Sequence, residues 1–348
     1  MIRSAKLSIK YLTKAKHNKL QALISRYRSA VNWYINYLWN KNNNLDKDTY
    51  KLITNCKLNA PFKQMALKQA KEMVFGVKRQ AKKQHKSVSK PHFSGNLVLD
   101  QRVININLDN PNSFDCWIRC STLKHKGRID LPLKRTKVLN KWLAKPGAEL
   151  RKSICLNNKW IKLFIEIPEL VGNSNTKVLG IDLGINKTIS DSDGNHYGRE
   201  FKKLSNRIRN RKFKSATRTK ILRARDNYLN WAVNQLPWNE IKALGIEDLK
   251  NLKKGMGKRT KAFRKAMAPW TYRQVLSRIE QKAQEHCVQL VKVNPAYTSQ
   301  TCPSCQLVSK ENRCGEYFAC QLCGYQDDAD TVGAKNVMKR TLETLGCL

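Results

Sequence analysis

Hydrophobic positions in the first half of the chain change their spacing twice. They alternate with polar residues over residues 2–12, which predicts a strand, and then recur at helical spacing over residues 19–41 and 62–84. Alternation returns over three later stretches: residues 104–108, 129–133 and 161–167. A strand, a helical insertion and further strands together predict a small β-barrel or sheet that is interrupted by a helical lobe.

The helix predicted over residues 19–41 carries aromatic residues among its aliphatic ones. Its apolar positions at helical spacing are Leu20, Leu23, Ile24, Tyr27, Val31, Tyr34 and Leu38. Such a stripe favours packing in a core over stacking on nucleic-acid bases. We therefore expect these residues to be buried.

The second half of the chain predicts an α/β domain. A short apolar strand over residues 178–183 precedes a hairpin over residues 188–192 that ends in an Asp-Gly turn. One long helix over residues 204–236, a strand over 240–247 and an amphipathic helix over 270–287 follow. The order of hairpin, helix, strand and helix fits an RNase H-like fold.

The chain is strongly basic. Its 67 lysines and arginines and 26 acidic residues, among 348 residues, give a net charge of +41. A polyanion relieves such self-repulsion, so the charge favours a nucleic-acid partner over a small-molecule enzyme. No apolar run reaches the ~18 residues of a membrane span, and no long basic helix has the apolar face that a membrane surface requires. Without a signal-peptide pattern, we expect a cytoplasmic, nucleoid-associated protein of a prokaryote, with no membrane partner.

The positive charge falls into two blocks. Residues 1–100 carry 21 basic and 4 acidic side chains, residues 201–300 carry 24 and 6, and the last 48 residues carry 5 and 6. The cations of the predicted long helix are Arg207, Arg209, Arg211, Lys212, Lys214, Arg218, Lys220, Arg223 and Arg225. In a chain of this charge, a helix face that follows phosphates is favoured over a merely solvated one.

Four of the eleven cysteines form two CxxC pairs near the C-terminus. Cys302 and Cys305 form the first pair, Cys320 and Cys323 form the second, and fourteen residues separate the pairs. Two such pairs place four thiolates around one tetrahedral ion, so we predict a structural Zn²⁺ site with no open position for catalysis. Cys314 lies between the pairs without a CxxC partner and is left out of the site.

Acidic residues stand out at three places in this basic chain. Asp182 lies in one predicted buried strand, Glu247 ends another, and Asp327, Asp328 and Asp330 precede the last predicted helix. A carboxylate among apolar residues is costly to bury alone and needs a partner or a metal ion. Together, the three places predict a pair of Mg²⁺ ions for phosphodiester hydrolysis. Taken singly, Asp182 could cap a turn, and Asp327 or Asp328 could cap the last helix.

Three segments resemble TnpB, the family of RNA-guided nucleases of insertion sequences that is related to the type V CRISPR effectors. The segments are VLGIDLGI at residues 178–185, IEDL at 246–249 and TSQTCPSC at 298–305. The resemblance runs through most of residues 177–340 and is looser upstream. It implies that Asp182, Glu247 and Asp330 are the three RuvC metal ligands and that Arg313 lies near the scissile phosphate.

One segment departs from the family pattern. Residues 330–334, Asp-Thr-Val-Gly-Ala, keep the aspartate of the family's Asp-x-Asn-Ala-Ala and lack its asparagine. If that asparagine positions a neighbour of the metal site, its loss would weaken cleavage. A shift that makes Asp328 the third ligand stays open, and so does a nuclease-inactive, RNA-guided repressor.

The resemblance implies a RuvC-like nuclease domain with an inserted zinc ribbon, preceded by a β-barrel-like wedge that a helical recognition lobe interrupts. The expected segments are 1–15 (first wedge strand), 16–92 (recognition lobe), 93–175 (wedge), 176–300 (RuvC-like domain), 301–325 (zinc ribbon) and 326–348 (last RuvC-like helix). The implied function is cleavage of double-stranded target DNA with two Mg²⁺ ions, directed by a guide RNA that the N-terminal lobe and the basic helix hold. A compact type V CRISPR effector is the alternative nuclease. A ribosomal-type RNA-binding protein would share the charge but would not need the three acids.

Overall fold

Two units make up the computed structural model, Met1–Pro168 and Glu169–Leu348. The structure describes residues 1–40, 48–85, 87–108, 113–123, 127–168, 174–184, 186–249 and 272–347. Three residues at the ends of predicted segments, Lys41, Ile185 and Trp270, lie outside the described residues. The finer segment boundaries expected from the sequence stay predictions. None of the described helices is both long enough and apolar enough to cross a membrane.

Two long helices of the first unit, α1 (Lys14–Asn40) and α2 (Ala60–Gln84), pack against each other. Pro61 lies in the first turn of α2, where a missing N–H group costs nothing. All seven apolar residues predicted to face the core on α1 are buried. The two buried tyrosines among them keep hydrogen bonds, since Tyr34 donates to the carbonyl of Tyr50 at 2.7 Å and Tyr27 to Gln69 at 3.1 Å. The prediction of core packing is confirmed.

The described strands of the first unit form two antiparallel sheets. The first has the order β1-β7-β6-β2 and consists of β1 (Ile2–Ser8), β2 (Leu97–Asp100), β6 (Glu149–Leu156) and β7 (Trp160–Glu166). The second consists of β3 (Ile104–Asn107), β4 (Cys116–Ser121) and β5 (Arg128–Leu133), and a short helix, α3 (Lys137–Leu143), follows it. β1 pairs with β7 along its whole length. The two long helices are therefore an insertion between the first strand and its sheet.

The second unit is built on a mixed five-stranded sheet with the order β10-β9-β8-β11-β12. Its strands are β8 (Lys177–Asp182), β9 (Ile189–Asp191), β10 (His196–Tyr197), β11 (Ile241–Glu247) and β12 (Gln289–Val293). The first three strands are antiparallel neighbours, whereas β8, β11 and β12 run parallel. Parallel neighbours require crossover connections, and the described helices between residues 201 and 285 lie in those connections.

The single helix predicted over residues 204–236 is wrong: the structure has two helices, α4 (Phe201–Arg209) and α5 (Ala216–Asn234). Lys214 has a φ of 63°, which a right-handed helix does not accommodate. The hydroxyl of Ser215 then accepts a hydrogen bond from the backbone N–H of Arg218 at 3.2 Å and caps α5. Charge and apolar spacing continue across this break, which is why the pattern suggested one helix.

Two more helices and a small antiparallel sheet lie in the described part of the second unit. The helices are α6 (Tyr272–Glu285) and α7 (Ala329–Thr344). The three-stranded sheet contains β13 (Arg313–Cys314), β14 (Tyr317–Ala319) and β15 (Gln326–Asp328). Because β15 ends where α7 begins, the small sheet leads directly into the last helix.

Candidate functional site

Two acids end neighbouring parallel strands at the same edge of the five-stranded sheet. Asp182 is the last residue of β8, and Glu247 is the last residue of β11. Ile181 pairs with Ile246 in the parallel register. The residues that follow them, Asp182 and Glu247, are therefore neighbours across the two strands. The carboxyl ends of parallel strands are where such folds place their ligands. Both acids are half-buried.

Two glycines allow α7 to lie directly on these strands. A β-carbon at Gly180 would lie 2.2 Å from the carbonyl oxygen of Ala334, and one at Gly245 would lie 2.0 Å from Oγ1 of Thr341. Gly180 and Gly245 pair with each other across β8 and β11. Each glycine precedes the acid of its strand by two residues, so the glycine and the acid lie on the same face of the sheet. A glycine two residues before each acid is the signal in the sequence for this close approach, and none of the predictions from the sequence used it.

The first turn of α7 brings Asp330 to the two strand acids. A β-carbon at Gly333 would lie 3.2 Å from Oδ2 of Asp182, and one at Gly184 would lie 3.9 Å from Oδ2 of Asp330. Asp330 is only 9% exposed. The structure therefore brings together the three acids that the sequence singled out, and we call Asp182, Glu247 and Asp330 the acid cluster.

Asp328 caps the N-terminus of α7 and is not a member of the acid cluster. Its Oδ1 accepts hydrogen bonds from the backbone N–H groups of Asp330 at 3.1 Å and Thr331 at 3.2 Å. Its other oxygen accepts from the ammonium group of Lys187. Burial alone would raise the pKa of Asp328, but the Lys187 and Thr331 donors outweigh burial and lower it. The capping role considered from the sequence is present, and Asp330 is the acid of this segment that reaches the cluster.

Burial dominates the electrostatics of the acid cluster. Desolvation raises the pKa of Asp182 to about 7, the charges of Glu247 and Asp330 add to the rise, and the Arg313 guanidinium opposes it. Desolvation also raises the pKa of Glu247, against the hydrogen bond that Thr298 donates. Several negative charges held together away from water favour an added cation. The acid cluster therefore fits a site for divalent metal ions.

Two cationic side chains flank Asp330. Arg313 donates to Oδ1 of Asp330 at 3.2 Å, and the ammonium group of Lys187 lies 3.9 Å from Oδ2. His196, on β10, lies 3.9 Å from Asp328. Lys187 lies two residues after the segment 178–185, and no pattern in the sequence indicated its position beside the acids.

A buried amide fixes the segment that contacts Glu247. The side chain of Asn336, on α7, donates to the carbonyl oxygens of Thr298 and Thr301, both at 2.8 Å. The hydroxyl of Thr298 in turn donates to the carboxylate of Glu247. Asn336 therefore acts on the acid cluster through Thr298, and no periodic pattern in the sequence indicates this role.

The four predicted zinc ligands converge beside the small sheet. Their Sγ atoms all lie within 4.8 Å of one another, with 3.6 Å between Cys302 and Cys323 and 3.5 Å between Cys305 and Cys320. A tetrahedral ion with Zn–S bonds of about 2.3 Å requires sulfur separations of about 3.8 Å, so the four thiols fit zinc. Backbone N–H groups, that of Cys323 first, lower the pKa of Cys320 to about 6 and favour its thiolate.

Within the described ranges, no second group of histidine, cysteine or acidic side chains gathers as closely as these four cysteines. The oxygens of the acid cluster are spaced more widely. Cys314 is exposed on β13 and lies outside the group, as expected from its lack of a CxxC partner. None of the eleven cysteines forms a disulfide bond.

Sequence comparison connects the C-terminal part of this chain to known proteins. The family model of the Cas12f1-like TNB domain matches residues 272–337. The TnpB-like protein MJ0751 of Methanocaldococcus jannaschii is 30% identical over 96 residues, which are 28% of this chain and 34% of that protein. InsQ of Escherichia coli strain K12, whose name describes an RNA-guided DNA endonuclease, is 42% identical over 60 residues, 17% of this chain and 15% of InsQ. Parts of this chain are therefore similar to proteins of the TnpB and type V effector family.

The matched stretches span 15% to 34% of the lengths of the curated relatives, two Cas12f1 endodeoxyribonucleases among them. The fold similarity extends further than the sequence similarity. The structure of the mini-RNA-guided endonuclease CRISPR-Cas_phi3 matches with a TM-score of 0.57 and 11% identity, over 98% of this chain and 92% of that one. This chain therefore shares its fold with the chain of that structure.

The structure distributes the predicted nucleic-acid-binding residues over two helices and their connection. Arg207 and Arg209 are exposed in the last turn of α4, and Arg211, Lys212 and Lys214 are exposed in the connection to α5. Arg218 and Arg223 lie on α5, while Arg313 lies at the acid cluster. Arg225 is buried and pairs with Asp226 at 2.6 Å, so it does not belong to an outward basic face. Nucleic-acid binding by these residues of the TnpB-related chain stays a prediction.

Proposed function

We propose that this chain is an RNA-guided DNA endonuclease whose second unit is an RNase H-like, RuvC-type nuclease domain. The convergence of Asp182, Glu247 and Asp330 in a desolvated cluster carries this proposal. The chain has a net charge of +41, so nucleic acid is the partner that its surface favours. The mixed sheet with strand order β10-β9-β8-β11-β12 supports an RNase H-like fold.

The acid cluster would hold two Mg²⁺ ions. Bound there, they would supply an activated water and stabilise the leaving oxygen in phosphodiester hydrolysis. The carboxyl group of Asp182 has to be ionised to bind a metal ion, so binding near neutral pH releases a proton. The guanidinium of Arg313 donates a hydrogen bond to Asp330 and would contact a phosphate bound at the site.

The four cysteines would hold a structural Zn²⁺ ion. A closed set of four thiolates leaves no coordination position for a substrate, so this ion would contribute to folding and not to the reaction. The ion would stabilise the small sheet, which ends at the start of α7.

Guidance by RNA is supported by the relatives and by the distribution of charge. InsQ carries the name of an RNA-guided DNA endonuclease. The segment that the Cas12f1-like TNB domain model matches, residues 272–337, contains the four proposed zinc ligands and Asp330. A guide RNA would be held by the first unit and by the basic helices α4 and α5. Base pairing would select the double-stranded DNA target, while the protein would read a short flanking motif.

An Asp182→Ala variant tests the proposal. The protein, purified with the RNA that accompanies it, is incubated with Mg²⁺ and a DNA duplex that matches this RNA. Wild type should cleave the duplex, and Asp182→Ala should lose cleavage below detection while it still binds RNA and DNA. Asp193→Ala is the matched control, because it removes a carboxylate from an exposed turn of the same sheet. Full cleavage by Asp182→Ala would sink the assignment.

A nuclease-inactive, RNA-guided DNA-binding protein is the second candidate, and the sequence departure at residues 330–334 favours it. Val332 replaces the family's asparagine and is buried in an apolar group with Cys302, Phe318 and Cys320. In the same assay, guided binding of the duplex by wild type without any cleavage would select this candidate. A transposon end or a CRISPR array beside the gene would distinguish the two kinds of nuclease.

A further inference from the structure

The connection between α4 and α5 exposes a phenylalanine among cations. Phe213 is 74% exposed, more than any other large apolar side chain among the described residues. Residues 201–225 contain eleven basic residues and no acid: Lys202, Lys203, Arg207, Arg209, Arg211, Lys212, Lys214, Arg218, Lys220, Arg223 and Arg225. An aromatic ring exposed among cations is the combination with which proteins bind single-stranded nucleic acid.

Hydrogen bonds hold this connection in one shape. The Arg218 guanidinium donates to the carbonyl oxygens of Ile208 and Arg211, which tie the end of α4 to the start of α5. Ser215 caps α5, and Lys214 takes up the left-handed conformation with a φ of 63°. The backbone around Phe213 is therefore fixed by its neighbours, and the ring projects outward from it.

Two cations lie over the Phe213 ring, and most of the side chain is still exposed. The ammonium nitrogen of Lys214 and the guanidinium carbon of Arg218 each lie 5.9 Å from the centre of the Phe213 ring. Both contacts have the geometry of cation–π interactions. An anionic ligand that also presents a flat apolar face matches this surface, since its charge meets the cations and its face meets the ring.

We propose that Phe213 is a stacking platform for an unpaired or terminal nucleobase, with the adjoining phosphates bound by the surrounding lysines and arginines. This rests on the proposed function only in taking nucleic acid as the partner. Aromatic side chains in positively charged grooves bind bases by stacking in a manner that tolerates any sequence. An apolar protein surface does not fit, because every side chain flanking the ring from Arg211 to Lys214 is cationic.

The salt dependence of the binding affinity distinguishes the contribution of stacking from the contribution of charge. Binding of a fluorescent single-stranded oligonucleotide is measured at several salt concentrations, in magnesium-free buffer without a chelator so that bound zinc is kept. Phe213→Ala should weaken binding roughly 5- to 100-fold at every salt concentration, with an unchanged slope of log K against log salt. Lys212→Ala, the neighbouring control, should reduce that slope by about one, and its effect should shrink as salt rises.

Two further variants test whether the ring itself matters. Phe213→Trp should keep the affinity, because tryptophan also stacks, whereas Phe213→Leu should bind as weakly as Phe213→Ala. Equal affinity of Phe213→Leu and wild type, or of Phe213→Ala and wild type at all salt concentrations, overturns the inference. Because Phe213 is exposed, these variants should keep the wild-type unfolding temperature.

The probes identify the source of the base. RNA and DNA single strands and a blunt DNA duplex of the same sequence are compared, and dependence on Phe213 with single strands assigns an unpaired base. Dependence with the blunt duplex assigns a terminal pair, and a defect with none of the probes overturns the inference. Because binding is measured without cleavage, a protein that binds through Phe213 and never cuts DNA would refute the endonuclease proposal alone.

Discussion

Replacing Asp182 with asparagine should stabilise the metal-free protein above neutral pH. Asp182 has a pKa of about 7 in the folded protein and 3.8 as its ordinary value, so the native state binds more protons than the unfolded state. The free energy of unfolding therefore falls as the pH rises between these two values. From about pH 5 to pH 7 the loss is at most about 3 kcal/mol, at 1.36 kcal/mol per pH unit. Because Asp182 is half-buried, solvent screens part of this loss, and we expect about 1–2 kcal/mol.

Urea unfolding of wild type, Asp182→Asn and the control Asp193→Asn measures this effect in magnesium-free buffer at about pH 5 and pH 8. The stability advantage of Asp182→Asn over wild type should grow by about 1–2 kcal/mol between the two pH values. The difference between Asp193→Asn and wild type should stay constant, because Asp193 lies in an exposed turn. Added Mg²⁺ should stabilise wild type more than Asp182→Asn. An advantage that is equal at both pH values would refute the reasoning that desolvation strains the acid cluster.

Two further predictions concern the parts that hold the acid cluster in place. Gly180→Ala puts a β-carbon 2.2 Å from the backbone of α7 and should lower the free energy of unfolding by about 1–3 kcal/mol in urea titrations. Gly76→Ala, whose β-carbon meets nothing within 4 Å inside a helix, should instead raise it by about 0.5–1 kcal/mol. Elemental analysis should find zinc in wild type and in Cys314→Ser, but not in Cys305→Ser. Full zinc content in Cys305→Ser would contradict the four-thiolate site.

The parts of the fold that carry a clean period were predictable, and those without one were not. The apolar stripe of α1 and the alternation of β7 are confirmed, because one face of each element is buried. The strands β2 and β4 were not indicated, because their sequences, LVLD and CWIRCS, do not alternate apolar and polar residues. The break between α4 and α5 depends on the φ of Lys214 and on a capping serine. These are local features that apolar spacing does not report.

The candidate site also contains both residues that the sequence indicated and residues that it did not indicate. Asp182, Glu247 and the cysteines were visible because a charged residue in an apolar strand and a CxxC spacing are local signals. Lys187 and Asn336 were not visible, because their contacts with Asp330 and Thr298 arise only when distant segments meet. Such contacts depend on the crossing of α7 over the sheet, and a single sequence shows this crossing only through the two glycines that permit it.

The position of Asp330 depends on two surfaces of α7 at once. On one side, Gly180 and Gly245 set how closely the helix approaches the strands that end in the other two acids. On the other side, the small sheet ends in Asp328, which caps the helix, and Val332 packs with the zinc ligand Cys302. A zinc ion in the four thiolates would stabilise this second surface. Because Asp330 lies between the capping residue and Val332, the structural ion would act on cleavage through the placement of one carboxylate, although it takes no part in the reaction.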